Sequence, residues 1–102
     1  MEAIVFRQNG QVGVEHIADP RPGPGEVLVR VRASGICHTD LEILRGNYGA
    51  SAFPLVPGHE YSGEVVETGP GVTGFAMGDR VVVDPNIGCG TCPGDRKSTR
   101  LN

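Results

Sequence analysis

Apolar residues along this chain come in short alternating runs, not in the three-to-four-residue spacing of a helix. The clearest run covers residues 26–33, where Val27, Val29 and Val31 alternate with Arg30 and Arg32. Successive strand side chains point to opposite faces, so this pattern predicts a half-buried β-strand with one charged side. Residues 3–7 and 12–17 read as two earlier strands. Asn9-Gly10 lies between them, a dipeptide that takes the positive φ angles a tight hairpin needs. Residues 53–56 read as extended and Pro57-Gly58 as a turn. Residues 59–68 read as a fourth strand, with Tyr61, Val65 and Val66 as core candidates, and residues 80–84 as a fifth. The stretch DPRPGPG at 19–25 cannot be a central strand, because proline has no N–H to give to a ladder.

One segment breaks this rhythm. Thr39 and Glu42 fit the helix-starting box S/T-x-x-E, and Asp40 would sit in the first turn, where a negative charge suits the helix dipole. Leu41 and Leu44 are one turn apart and would face the core, and Gly46 would stop the chain's winding. The expectation is a short helix over 40–45.

With 16 Gly and 8 Pro among 102 residues, turns are dense, and the hydrophobic content of 38% is dispersed between them. The predicted fold is mainly β, a small, partly open barrel with one or two short helices. The length suits one small domain and leaves no room for a separate nucleotide-binding sheet. A net charge of −3 offers no basic surface for nucleic acid. No apolar run is long enough for a membrane span, and Met-Glu-Ala-Ile-Val is not a secretory start, so the cytoplasm is the expected compartment.

The candidate chemistry lies in two segments. Cys37, His38, Thr39 and Asp40 are consecutive, and His59-Glu60 follows the Pro57-Gly58 turn. Thiolate, imidazole and carboxylate are zinc-ligand types, and a catalytic zinc takes three protein ligands and keeps a fourth position open. Cys37, His59 and Glu60 are the candidate set. Taken singly, a cysteine is more often inert packing and a histidine more often a hydrogen-bonded surface residue. Asp40 raises the odds of a metal, because a metal-bound imidazole usually gives its second N–H to a carboxylate, while the inert reading stays open. A cysteine just ahead of a helix also has its thiolate favoured. Thr39 is a candidate proton-relay hydroxyl as well as a candidate cap. Cys89 and Cys92 form a C-x₂-C knuckle, half of a structural zinc site. The G-x-G-x-x-G at 69–74 is not a dinucleotide fingerprint: no helix pattern follows it, and Pro70 removes an N–H that a phosphate would use.

The runs GICHTD, PLVPGHEYSGEVVETG and GDRVVVDPNIGCGTC, in that order, resemble the zinc-dependent medium-chain alcohol dehydrogenases over nearly all of residues 1–94. The VDPNIGCGTC wording is most similar to the polyol and threonine dehydrogenase branches. The resemblance implies a GroES-like catalytic domain, followed in the family by a domain that binds NAD or NADP, in a parent enzyme that is a homo-oligomer. It implies catalytic zinc on Cys37 and His59 with Glu60 beside them, and structural zinc on Cys89 and Cys92. It places His38 near the cofactor pyrophosphate, Thr39 against the substrate alcohol in the proton relay, and Asp40 behind the ligand histidine. The implied substrate is a small alcohol or polyol. The family continues C-G-x-C-x-x-C, but Asp95 stands where the third cysteine belongs. Residues 95–102, DRKSTRLN, have no family counterpart and read as translated sequencing adapter. Two other readings are a stand-alone GroES-like barrel acting as a binding module, which needs no metal, and a zinc-free reductase of the same superfamily, which lacks the ligand pair.

Overall fold

The computed structural model describes residues 1–47, 52–87 and 91. Two antiparallel sheets carry the chain. The first joins β1 (Glu2–Arg7) to β2 (Gln11–His16), with Ile4 opposite Val14 and Phe6 opposite Val12. The connection is a 3₁₀ turn over Gln8–Gly10, with Asn9 at φ 63° and Gly10 at φ 72°, the conformations expected of the Asn-Gly signal. Residues 53–56 touch this sheet at a single antiparallel bridge, where Phe6 and Leu55 exchange backbone hydrogen bonds of 2.7 and 2.9 Å.

The second sheet has the order β3 (Val27–Ser34), β4 (Tyr61–Thr68), β5 (Arg80–Val82). β3 and β4 run antiparallel from Val27 opposite Thr68 to Ser34 opposite Tyr61, with irregularities at Leu28/Val29 and Val31/Ala33. Two sheets that do not close on each other give the partly open barrel. The strand predicted over 59–68 starts two residues later, because Gly58 at φ 111° holds the chain in a turn up to Glu60. The strand predicted over 80–84 ends at Val82, although Val83 N–H still bonds Tyr61 O at 2.9 Å. Residues 69–74 are a turn, tied by backbone bonds from Gly69 N–H to Glu26 O (2.8 Å) and from Gly25 N–H to Pro70 O (2.9 Å). Among the described residues the next element after it is a strand, β5, and not a helix.

Among the described residues the buried apolar core is Val5, Phe6 and Val65, with Val65 only 1% exposed. Tyr61 and Val66 are half-buried, as are Val27 and Val29, whereas Val31 at the bulged end of β3 is half exposed. Ile4, Val12 and Val14 form an exposed apolar ladder on the β1–β2 hairpin. No described helix is long and apolar enough to cross a membrane.

Helix α1 (His38–Leu44) starts two residues earlier than the box reading placed it. Its N-cap is Cys37, not Thr39, and Asp40 at the third helical position closes the cap from within. Glu42 bonds Asn47 and pairs with Arg45 at its C-terminal side, so it serves the helix end instead of its start. Leu41 is exposed, contrary to its expected core position, while Leu44 is half-buried. Gly46 ends the helix at φ 80°, its N–H on Ile43 O.

Candidate metal centre

The pairing of β3 with β4 builds the site. Ser34 ends β3 opposite Tyr61, which begins β4, and Gly35 N–H extends the ladder by one bond of 2.7 Å to Glu60 O. The two chains therefore leave the sheet side by side. Cys37 follows Gly35 on one of them, and His59 precedes Glu60 on the other. The two segments that look unrelated along the chain meet because the strands they flank are neighbours.

Sulfur, imidazole nitrogen and carboxylate oxygen of Cys37, His59 and Glu60 all lie within 4.8 Å of one another. Bond lengths of 2.0–2.3 Å around a tetrahedral zinc put its ligand atoms about 3.3–3.8 Å apart. The separations in the trio exceed those of a filled site by no more than about 1–1.5 Å. Cys37 and His59 are half-buried and Glu60 is exposed. The donor set and its spacing fit zinc.

Asp40 stands behind this trio. It is 6% exposed, and its Oδ2 accepts the Cys37 backbone N–H at 3.0 Å. Its other oxygen, Oδ1, lies 3.3 Å from His59 Nδ1, within electrostatic reach but short of hydrogen-bond geometry, and has no other partner. With Nδ1 turned to Asp40, Nε2 is the ring nitrogen left for a metal.

Local fields shift the acidities of the two candidate ligands in opposite directions. The Cys37 thiol is held below its ordinary range, first by the Thr39 backbone N–H, then by the Thr39 hydroxyl and by His59, against the opposing charge of Glu60. His59 is pushed up, first by its hydrogen bond with Cys37 and then by the charge of Asp40. Each shift favours the charged form of its group.

The Thr39 hydroxyl contributes to lowering the Cys37 thiol, an influence not expected from the sequence. His38 is 76% exposed and turned to Glu42 Oε1 at 3.3 Å, outside the trio. Cys89 and Cys92 lie outside the described residues, as does the segment 95–102. Beside Glu60 a groove of about 490 Å³ opens, lined by Ser34, Tyr61, Ser62 and Val82, reaching neither Cys37 nor His59. The sequence signal for the true cap was C-x-x-D, the same spacing as the familiar box with sulfur and aspartate in place of hydroxyl and glutamate.

Residues 23–100 match the family described as alcohol dehydrogenase GroES-like domain. The chain belongs to that family. Its sequence is 52% identical to D-altritol 5-dehydrogenase of Agrobacterium fabrum, over 95% of this chain and 29% of the relative. It is 43% identical to acryloyl-coenzyme A reductase of Metallosphaera sedula, over 90% of this chain and 28% of that protein. A cobalt- and zinc-bound thermostable alcohol dehydrogenase from Pyrobaculum aerophilum superposes with a TM-score of 0.79 at 40% identity, over 95% of this chain and 30% of that one. The GroES-like domain seen here therefore spans under a third of the length of these relatives.

Proposed function

We propose that this GroES-like domain is the metal-holding part of a zinc-dependent alcohol or polyol dehydrogenase that uses NAD or NADP. The observation that carries the reading is the convergence of Cys37, His59 and Glu60 within 4.8 Å. Cys37 and His59 would hold the zinc, and Glu60 would ligate or give way to substrate. When bound, zinc supplies Lewis acidity toward the oxygen of an alcohol. Asp40 fixes the His59 ring in the tautomer that leaves Nε2 for the metal. Thr39 would carry the alcohol proton outward through its hydroxyl. The overall change is a two-electron oxidation: the carbinol carbon gives a hydride to the nicotinamide and its oxygen gives a proton. His38 is assigned to the cofactor's phosphates, which its exposure permits. Cys89 and Cys92 are assigned to a structural zinc. The whole enzyme would work in the cytoplasm as a homo-oligomer.

A second reading has one observation behind it, the identity to a reductase acting on an acyl-coenzyme A. The ligand trio favours the dehydrogenase, because the alternative places no demand on a thiol, imidazole and carboxylate at one point. The test is made in the longer enzyme that carries this domain. Zinc content by elemental analysis and alcohol oxidation should both be present in the parent and both be lost in Cys37→Ser. Retained turnover in that variant contradicts the proposal. The 102 residues alone are expected to show no turnover.

A further inference from the structure

We infer that Asp40 is a two-armed positioning residue that sets the separation of Cys37 and His59 through two different contacts. The inference rests on the metal-site reading and adds to it the arm toward Cys37. One oxygen, Oδ2, holds the Cys37 backbone N–H at 3.0 Å. The other, Oδ1, faces His59 Nδ1 at 3.3 Å. Among the described residues Oδ1 has no hydrogen-bond partner, and the carboxylate is buried. The cysteine main chain is held by Asp40, while its sulfur faces Thr39 and His59. The usual N-cap hydroxyl is absent at Cys37, so the reciprocal half of the box, the third helical residue reaching back, fixes where this ligand sits. A carboxylate bonded only to the imidazole would orient one ligand. This one ties a ligand on the β3 side to a ligand on the β4 side, across the gap that a metal must bridge.

Asparagine and alanine separate the arms. Asp40→Asn keeps an oxygen for the Cys37 N–H but weakens the contact with His59, whereas Asp40→Ala removes both. The chain is stripped of metal and titrated with cobalt, reading affinity from the thiolate-to-cobalt charge-transfer band. Asp40→Asn should weaken binding by roughly 10-fold or more, the usual size for a partner of a ligand histidine. Asp40→Ala should weaken it by roughly a further fivefold, the size of a lost helix cap. Amide exchange of the metal-free chain supplies the independent readout: the Cys37 N–H should be protected in the parent and in Asp40→Asn, and unprotected in Asp40→Ala. Equal cobalt affinities for the two variants would overturn the inference while leaving the metal site standing. A parent that binds no cobalt would instead sink the metal-site reading, and the arm toward Cys37 then stands or falls on the exchange result. Should Asp40→Ala fail to fold, an unprotected Cys37 N–H in the parent or in Asp40→Asn still refutes it.

Discussion

Gly63 is a strand position where adding one methyl group should do heavy damage. It is buried in the middle of β4, opposite Val31. A Cβ built there would lie 2.1 Å from Arg30 O, 2.8 Å from Arg30 C and 2.9 Å from Val29 Cγ1. Two of those atoms are backbone, so no rotamer change relieves the contact. β3 would have to retreat from β4 by about 1 Å to restore ordinary contact distances. That retreat strains the adjoining rungs, at roughly 1 kcal/mol net for each hydrogen bond lost, and loosens the packing on Val65. With the usual 1–3 kcal/mol for overpacking, the expected loss for Gly63→Ala is about 3 kcal/mol. Small domains have only about 5–15 kcal/mol in total. Gly13→Ala is the matched control: it is also a strand glycine, with nothing within 4 Å of its would-be Cβ. Urea unfolding followed by circular dichroism should place Gly63→Ala far below the parent and Gly13→Ala within about 0.5 kcal/mol of it. Equal midpoints for the two variants would refute the close-approach reasoning. The same retreat would part Ser34 from Tyr61, so zinc affinity should fall in Gly63→Ala and hold in Gly13→Ala.

Asn9 sits at φ 63°, so Asn9→Ala should cost about 1 kcal/mol in urea unfolding and Asn9→Gly should cost little; equal effects would contradict the turn assignment. Zinc affinity should fall steadily from about pH 8 to about pH 6, because a raised His59 pKa means the ring takes up its proton at higher pH than an ordinary histidine, and the metal must displace it. The lowered Cys37 thiol works the other way, releasing its proton early and flattening the profile at the alkaline end; a competition titration with no pH dependence would contradict both. If residues 95–102 are foreign to the gene, long reads across the genomic locus should diverge from this sequence after residue 94; an uninterrupted gene ending in the same octapeptide contradicts that assignment.

Alternation and turn chemistry carried most of the strands into view. Val27, Val29 and the Asn9-Gly10 turn each announce their local geometry, because the forces that shape them act within a few residues. The helix start was misplaced because Thr39 has the side chain that ordinarily caps, while Cys37 caps with help from Asp40 three residues on. That choice is made by tertiary context: the β3–β4 edge brings His59 against Asp40 and anchors the carboxylate. The strand ends at 59–60 and 83–84 were overextended because Gly58 and the end of pairing with β4, not residue propensity, set them. The convergence of Cys37 with His59 depends on a pairing between strands far apart along the chain. Periodicity cannot supply such a register, so the residues alone left the inert-cysteine reading open and only the family resemblance closed it. The influence of Thr39 on the Cys37 thiol has no signature in the sequence at all.

The central claim is that a sulfur and a ring nitrogen share one divalent cation. Crystals of the zinc-loaded enzyme, with anomalous data collected on both sides of the zinc absorption edge, test it most directly. The account predicts a peak about 2.3 Å from Cys37 Sγ and about 2.0–2.1 Å from His59 Nε2, with Asp40 on the far side of the ring. Zinc bound elsewhere, with Cys37 Sγ and His59 Nε2 outside its coordination sphere, would contradict it.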